Sequence, residues 1–477
     1  MTQSTADVAL LAPGAPLADA VLVGGAVRDL LLGRRPADHD WLVAHPERSA
    51  RALAAALDGS AFALDEGRGH WRVVVPGAPG APSAVHDLTP PQPGGSGTRV
   101  LDGGVLDEDL LERDLRARDF TINAMAALPD GRIVDPTGGR ADLEARVVRT
   151  ASPESLRADT VRAWRAVRFA AQIEGRLEPA TARRVAALAA AFRDGLALPA
   201  VERIRDELEA TLATPRAGRA LAAMDELGLL EHVLPELTAG RGVEQPAFHH
   251  LDVLEHQLEA LQQLVDAFPD ADLAVRWATL LHDVGKPPTR VVDDWQGGRA
   301  RFHGHDRVGG DLAALALRRL RLPRARIVRV AALVRAHMRP LPKDERAARR
   351  FVHRLRPLLP DLLKLMIADR EAARGPLASA AQRRRYRLAL AEVVALLEEA
   401  PPPEPLLRGD DVMRLLGLRA GPTVGRALHA VEEARALGDV TDRAEAEAYV
   451  RRLAEAQGWR GDDPTRTDTA DGAFGHG

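Results

Sequence analysis

Hydrophobic and polar positions divide this chain into a mixed first third and a long helical remainder. Up to about Thr150, short apolar runs bounded by turn residues predict strands at Val21–Val23, Trp41–Val43, Trp71–Val75 and Ala84–Leu88. Two helical stretches lie between them, Ala26–Leu32, stopped by Gly33 and Pro36, and Ser49–Leu57. Pro76–Pro82 and Thr89–Gly104 are rich in Pro and Gly and read as loops. From Ser155 to about Ala400 the period is helical almost throughout. Pro401–Pro403 marks a linker, Arg408–Leu453 a small helical module, and Gly461–Gly477 has the composition of a disordered tail. The pattern predicts an α+β chain. Its parts are a flexible lead-in over 1–20, a head with a small mixed sheet over 21–150, a helical neck over 151–245, a second helical domain over 246–400, a helical tail module over 401–460 and a disordered tail over 461–477.

Composition narrows the classes. With 477 residues the chain exceeds one ordinary core. Hydrophobic content of 46% and charged content of 28% are those of a soluble globular protein. A net charge of −3 excludes global basicity, so a nucleic-acid surface has to be local. No cysteine is present, which excludes disulfides and thiolate metal sites and leaves His, Asp and Glu as ligands. No apolar run is long enough to span a bilayer and no basic segment precedes Arg28, so a cytoplasmic location without a membrane partner is expected.

The first chemical constellation lies in Val21–Asp40, which reads as strand, Gly turn, helix, loop, strand. Gly24 and Gly25 let a backbone approach a triphosphate, and the helix start behind them offers N–H donors. Asp38 and Asp40 are two apart, so on an extended segment both carboxylates face one way, as a pair of Mg²⁺ ions needs. Asp87, near a strand end, is placed to join them. Arg118 and Asp119 precede a helix predicted to begin near Thr121, where an Arg can meet phosphate oxygens.

These segments, GGAVRDLLLG with the Asp-x-Asp behind it, RDFTINAMA and DPTGG–DL, with DTVRAWRAVRF from Asp159 and ERIRDEL from Glu202, together resemble the class II tRNA nucleotidyltransferase and bacterial poly(A) polymerase family. The resemblance implies two-metal nucleotidyl transfer to a tRNA 3′ end from ATP and CTP. Asp38 and Asp40 would hold Mg²⁺, with Asp87 completing the catalytic set. Gly24, Gly25, Arg28 and Asp29 would shape the triphosphate pocket, Arg118 and Asp119 would hold sugar and phosphates, and Asn123 would brace them. Asp159 and Arg162, three apart on a predicted helix, would read the base as an amino-acid template; the bland alternative is an intrahelical ion pair. The chain departs from the family at Ala158, where a Glu is usual. Arg165 and Arg168 would line the same groove or snorkel from a solvated face, and Glu202–Leu208 is expected to form a structural ion network.

A second constellation runs from FHHLDVLEH through LLHDVGK and FHGH to His337 and Asp369. A His-Asp pair ending an apolar helix, with a His before and an Asp after it, can converge on a metal, suiting Mn²⁺, Ni²⁺, Fe²⁺ or Mg²⁺. This resembles the HD phosphohydrolase domain. The resemblance implies ligands at His256, His282, Asp283 and Asp369, extra positions at His305 and His337, and a phosphate contact at Lys286. His249, His303 and His353 read as structural, and His250 is open. In related enzymes such domains act as phosphatases or cyclic phosphodiesterases on RNA ends.

Dense arginine over Arg318–Arg356 and at Arg383–Arg385 is a solvated face or a set of RNA contacts. The Gly-Pro turn at Gly421-Pro422 resembles the family's C-terminal module and either caps a helix or meets RNA. The Gly-rich segment between Asp87 and Glu112 would act as a lever that resets the pocket. The leading expectation is addition of CCA or of its terminal A, ahead of CC addition. The alternatives are a poly(A) polymerase on diverse RNAs and an HD phosphohydrolase with an inactive RNA-binding head. No motif sets the oligomeric state.

Overall fold

The computed structural model describes residues 17, 20–36, 38–77, 83–90, 101–102, 105–245, 250–293, 299–373, 379–398 and 404–459. The expected flexible lead-in, apart from residues 17 and 20, the Pro401–Pro403 linker, the disordered tail, His249 and half of the Gly-rich lever (91–100 and 103–104) lie outside these residues.

The head is a seven-stranded sheet in the order β3-β4-β5-β2-β1-β8-β9. Its strands are β1 (Val21–Val23), β2 (Asp38–Leu42), β3 (Ser60–Asp65), β4 (His70–Val75), β5 (Ala84–Thr89), β8 (Ala126–Ala127) and β9 (Ile133–Val134), with β6 (Leu101–Asp102) and β7 (Val105–Leu106) forming a separate hairpin. Among these sheet strands β2 and β5 pair in parallel, and the other pairings are antiparallel. The sequence pattern missed β3, β8 and β9. β3 is an edge strand whose Phe62 and Leu64 stay exposed, and β8 and β9 are too short to carry a period. β2 begins at Asp38 rather than Trp41, because parallel pairing with β5 extends it over the acidic residues.

Helix α1 (Gly25–Leu31) follows β1 across Gly24, and α2 (Pro46–Ala56) starts at a proline preset for the first turn. α2 covers one sheet face, burying Leu53 against Trp41, Val73 and Leu88. α3 (Glu108–Arg116) covers the other, with Leu110, Leu111 and Leu115 packed on Val21, Val23 and Leu42. The helix expected from Thr121 is a single 3-10 turn, Thr121–Asn123, because the chain enters β8 directly afterwards. α4 (Gly139–Glu144) closes the head.

The neck contains α5 (Ser155–Ala158), α6 (Arg162–Gln172), α7 (Pro179–Arg193), α8 (Val201–Leu212), α9 (Ala217–Glu226) and α10 (Pro235–Thr238). The next domain is built from α11 (Val253–Ala267), α12 (Leu273–Leu281), α13 (Lys286–Thr289), α14 (His305–Arg319), α15 (Arg324–Ala336), α16 (Glu345–Leu355), α17 (Asp361–Ala372) and α18 (Ala380–Glu398). Asp252 and Glu255 close a capping box at the start of α11, and Asp272 caps α12. The helical remainder also holds two small strand pairs, β10 (Val147–Val148) with β11 (Arg176–Leu177) and β12 (Val291–Asp293) with β13 (Arg299–Arg301). One continuous apolar core runs from α1 through the neck to α18. The tail helices α19 (Gly409–Leu416), α20 (Pro422–Ala436) and α21 (Arg443–Gln457) have a core of their own around Val412, Val431 and Val450.

Candidate active sites in the head and the helical domain

Alternation along β2 and β5 assembles the first site. The register places His39 beside His86 and Asp40 beside Asp87, so Asp38, Asp40 and Asp87 share one face. On the opposite face His39, His86 and Trp41 stack as buried rings, with His39 and His86 centroids 4.6 Å apart. Trp41 Nε1 donates to His86 Nδ1 at 3.2 Å. Arg72, the register partner of Asp87 on β4, grips that carboxylate through Nε at 2.7 Å and Nη2 at 2.8 Å. The acid face stays open: Asp38 and Asp40 keep exposed surface, while neighbouring atoms crowd the Asp40 carboxyl. Desolvation there raises the Asp40 carboxyl above its ordinary pKa, Asp87 and Asp38 add to the rise, and Arg118 opposes it. Three converging carboxylates that repel one another are a donor set for divalent cations.

Gly24 brings the turn against this face. Its φ is +76°, and a Cβ there would lie 2.8 Å from Arg118 Nη1 and 3.5 Å from Asp40 Oδ2. Arg118 is held from behind by Asp114 at 3.2 Å. Behind the turn a buried network crosses from head to neck. Arg28 donates to Asp29 and Asn123 at 2.9 Å each, and Asn123 donates to Asp119 at 3.2 Å. Arg165 bridges Asp119 at 3.3 Å and Glu207 at 2.9 Å, and Arg168 donates to Glu207 at 2.6 Å. The sequence reading placed Arg165 and Arg168 in a groove; here α8 holds both through Glu207, which is buried.

Asp159 and Arg162 do not share a helix as expected. Asp159 ends α5 in an extended conformation and α6 begins at Arg162, so the i, i+3 geometry is absent. Asp159 is instead gripped by Arg203 of α8, at 3.0 and 2.6 Å. Partial burial works against its charge, but the Arg203 contact prevails and holds the Asp159 carboxyl below its ordinary pKa. Arg162 donates to the Ser155 carbonyl at 3.2 Å and hydroxyl at 3.0 Å. Arg203 and Glu207 belong to the Glu202–Leu208 stretch expected to form an ion network, and both pair across elements, whereas Arg72 and Asp114 were not expected at the site.

The second site joins helix ends. His256 comes from α11, His282 and Asp283 from the end of α12, His305 from the start of α14, His337 from the end of α15 and Asp369 from α17. They form two adjacent triads, His256-His282-Asp369 and Asp283-His305-His337, each with ligand atoms within 4.8 Å of one another. His256 Nε2 lies 3.0 Å from Asp369 Oδ1, and His282 Nε2 lies 3.1 Å from Asp283 Oδ2. His282, His305 and His337 each turn Nδ1 to a backbone carbonyl three residues earlier, at 2.8, 2.7 and 2.6 Å. Their Nε2 atoms are buried without a hydrogen-bond partner. That pattern, Nδ1 fixed and Nε2 free and convergent, fits a metal site. Burial lowers the His256 imidazole; at His282 burial is overcome by Asp283 and Asp369, which push it up to about 10. Burial disfavours the charge of Asp283 and Asp369, yet the surrounding imidazoles, and Lys286 for Asp283, hold both carboxyls well below their ordinary pKa. Lys286 Nζ lies 2.5 Å from Asp283 and 2.6 Å from Gln245, a residue the sequence reading overlooked. His250 and His303 lie exposed, and His353 packs on His429 of the tail module at 5.7 Å.

Much of the arginine-rich run is neutralised within the fold. Arg319 pairs with Glu236, Arg321 with Glu202, Arg326 with Glu209, Arg329 with Asp361, Arg346 with Asp439, and Arg350 and Arg354 with Glu433. These pairs tie neck, helical domain and tail module together.

Comparison with known proteins places both domains in known families. The poly A polymerase head domain matches residues 20–76 and 96–149, a region described as the probable RNA and SrmB-binding site of polymerase A matches 176–240, and the HD domain matches 253–374. The A-adding tRNA nucleotidyltransferase of Deinococcus radiodurans is 53% identical over 438 residues, covering 91% of this chain and 96% of that one. The CC-adding tRNA nucleotidyltransferase of Thermus thermophilus is 42% identical over 434 residues, covering 91% and 93%. The crystal structure of the Bacillus stearothermophilus CCA-adding enzyme in complex with CTP shares the fold, with a TM-score of 0.61 and 24% identity over 96% of this chain and 99% of that one. Fold and sites thus define a nucleotidyltransferase with a polymerase-type head and an HD domain, a class that depends on divalent metal. The chain belongs to the tRNA nucleotidyltransferase family.

Proposed function

We propose that this chain completes the CCA end of tRNA and that its favoured step is addition of the terminal A from ATP, with CTP used where full CCA synthesis is required. The observation that carries the transfer chemistry is the shared face of Asp38, Asp40 and Asp87 beside the Gly24 turn and Arg118. The preference for A is supported by the higher identity to the A-adding relative, 53% against 42% for the CC-adding one.

Asp38 and Asp40 would hold Mg²⁺, which when bound neutralises the triphosphate and activates the RNA 3′-hydroxyl. Asp87, held by Arg72, completes the acid face. The Gly24-Gly25 turn admits the triphosphate close to backbone N–H groups, and Arg118 and Asp119 hold its phosphates and sugar. Arg28, Asp29 and Asn123 fix that wall from behind, while Arg165 and Arg168 lock it to the neck. Asp159 offers acceptors and Arg162 donors to the base edge.

The test is extension of one tRNA in three forms, lacking CCA, ending in C and ending in CC, with CTP, ATP or both. One A added only to the CC form is the expected result. CCA from every form would make it a full CCA enzyme, CC growth without A would overturn the preference, and long A tails on unrelated RNA would favour a poly(A) polymerase.

A second reading concerns the HD site, because its two triads, buried but for Asp369, could each hold a metal ion. We propose that His256, His282, Asp283 and Asp369, with His305 and His337, hold Mn²⁺, Ni²⁺, Fe²⁺ or Mg²⁺ and that the site hydrolyses phosphoesters at RNA ends, with Lys286 as a phosphate contact. Purified protein without such metal, and no cleavage of a 2′,3′-cyclic phosphate with added Mn²⁺ or Ni²⁺, would end this reading.

A further inference from the structure

A cleft of about 550 Å³ opens between α5 and α7, beside the turn that carries Asp159. One wall is Leu156, Arg157 and Thr160, and the other is Arg184, Leu188 and Leu196. Leu156 and Leu188 are buried and form an apolar floor, whereas Leu196 leaves 45% of its surface to solvent. Leu198, two residues on, is 42% exposed. Exposed leucines beside an apolar floor are a surface awaiting a ligand with a flat apolar face.

The charges of the cleft say which ligand. Arg184 is half-buried and donates Nη1 to the Thr150 hydroxyl at 3.1 Å, so its guanidinium is held in place. Among the described residues it has no carboxylate partner, unlike the arginines of the helical domain, which are largely paired. Arg157 meets Glu154 at 3.7 Å, with both side chains more than 70% exposed, 83% and 72%, so that pair is a weak, water-screened one. The cleft thus has an ordered, unneutralised cation, a second cation at its rim, one carboxylate, an apolar floor and the Thr160 hydroxyl. A nucleotide fits this set: a phosphate for Arg184, a base face for the leucines and a ribose hydroxyl for Thr160.

Position adds the rest. Thr160 lines the cleft and directly follows Asp159, which Arg203 of α8 grips at 2.6 Å. The turn 159–161 therefore adjoins both the cleft and a residue proposed to read the incoming base. We infer that the α5–α7 cleft binds a single-stranded nucleotide of the RNA substrate, upstream of the reacting 3′ end, with Arg184 as its phosphate contact. This rests on the proposed transfer function and adds a binding site to it.

The experiment uses the full chain and tRNA ending in CC. Arg184→Glu reverses the charge, Arg184→Lys keeps it, and Ala187→Met fills the cleft, since Ala187 lines it. The KM for tRNA at saturating ATP and the KM for ATP at saturating tRNA are measured for each, with thermal melting as a check on folding. The expected result is an increase of about tenfold in the tRNA KM for Arg184→Glu and for Ala187→Met, equivalent to roughly 1.4 kcal/mol. The ATP KM should stay within about twofold, and Arg184→Lys should lie near wild type, by the same scale. The log–log salt slope of tRNA binding should fall by about one in Arg184→Glu, as for one lost phosphate contact. Unchanged tRNA KM in all three variants would overturn the inference, and so would a parallel loss in both KM values, which a distorted turn would give. Equilibrium binding of the same tRNA is measured alongside. Wild-type binding that the variants weaken, without extension of any tRNA form, would remove the transfer reading and keep the cleft.

Discussion

At Gly24 the backbone takes φ +76° with Arg118 2.8 Å from where a Cβ would stand, so an alanine there is strained twice. Gly24→Ala should displace Arg118 and lower transfer by about tenfold or more, and because Gly24 is buried at positive φ it should also cost about 1–3 kcal/mol of stability; the ATP concentration dependence of extension and a thermal melt read the two effects. Burial, with Asp87 and Asp38 beside it, disfavours the charge of Asp40, so a bound cation would relieve it. Asp40→Ala should reduce extension by roughly 10³-fold, the scale for deleting one main electrostatic stabiliser, while metal bound at the HD site stays at the wild-type level. Unchanged extension would refute the assignment of the acid face. Glu207 holds two arginines while buried, so Glu207→Gln should cost about 3 kcal/mol in unfolding free energy by denaturant titration. Asp38, Asp40 and the Gly24 turn were legible from their order along the chain together with the motifs that follow them, since spacing alone is a weak signal. Glu207 was visible only as one acid in a helical ion pattern, because its partners lie 39 and 42 residues away.

At the level of elements, strand alternation did what the sequence pattern required of it, and helix boundaries near chemistry did not. β2 puts its acids on one face and His39 and Trp41 on the other, as any strand must. The segment around Asp159 looked helical because Ala, Arg and Leu are frequent throughout, but the chain breaks between α5 and α6 to bring Asp159 to Arg203. In the HD domain, α13 and α14 meet at Gly285, where a Cβ would lie 2.1 Å from the His305 carbonyl oxygen. Gly285→Ala should push these elements apart, cost about 1–3 kcal/mol and lower metal retention measured after dialysis. Retention equal to wild type would mean the triads tolerate that shift.

For the whole molecule, the common core and the ion pairs between domains make head, neck and HD domain one body. Glu236 on α10 joins Arg319 on α14 at 2.6 Å. Burial disfavours its charge, but the Arg319 contact lowers the Glu236 carboxyl below its ordinary 4.5. A depressed carboxyl stabilises the fold above its unfolded pKa, and that contribution is lost as pH falls through the folded value. Melting temperature should therefore decline below about pH 4.5 in wild type, and less steeply in Glu236→Gln, which lacks this titration. An identical acid profile in the variant would show that the pair does not report on domain docking.

The sequence by itself determined the mixed head and helical remainder, the acid pair on a strand, the Gly turn, and the His and Asp set of the HD domain, because each is written in residues a few positions apart or in motifs of fixed order. It also fixed which ligands are available, since a chain without cysteine has only imidazole and carboxylate to offer. Tertiary structure alone decided that Arg72 would grip Asp87, that Arg203 and not Arg162 would hold Asp159, and that the arginine-rich run would largely be spent on pairs between elements. It also decided that α5 and α7 would leave a cleft with an arginine that has no carboxylate partner among the described residues. The physical reason is that ion pairs and clefts form wherever packing brings side chains within a few ångströms, and periodicity along a chain carries no record of which distant helix will arrive.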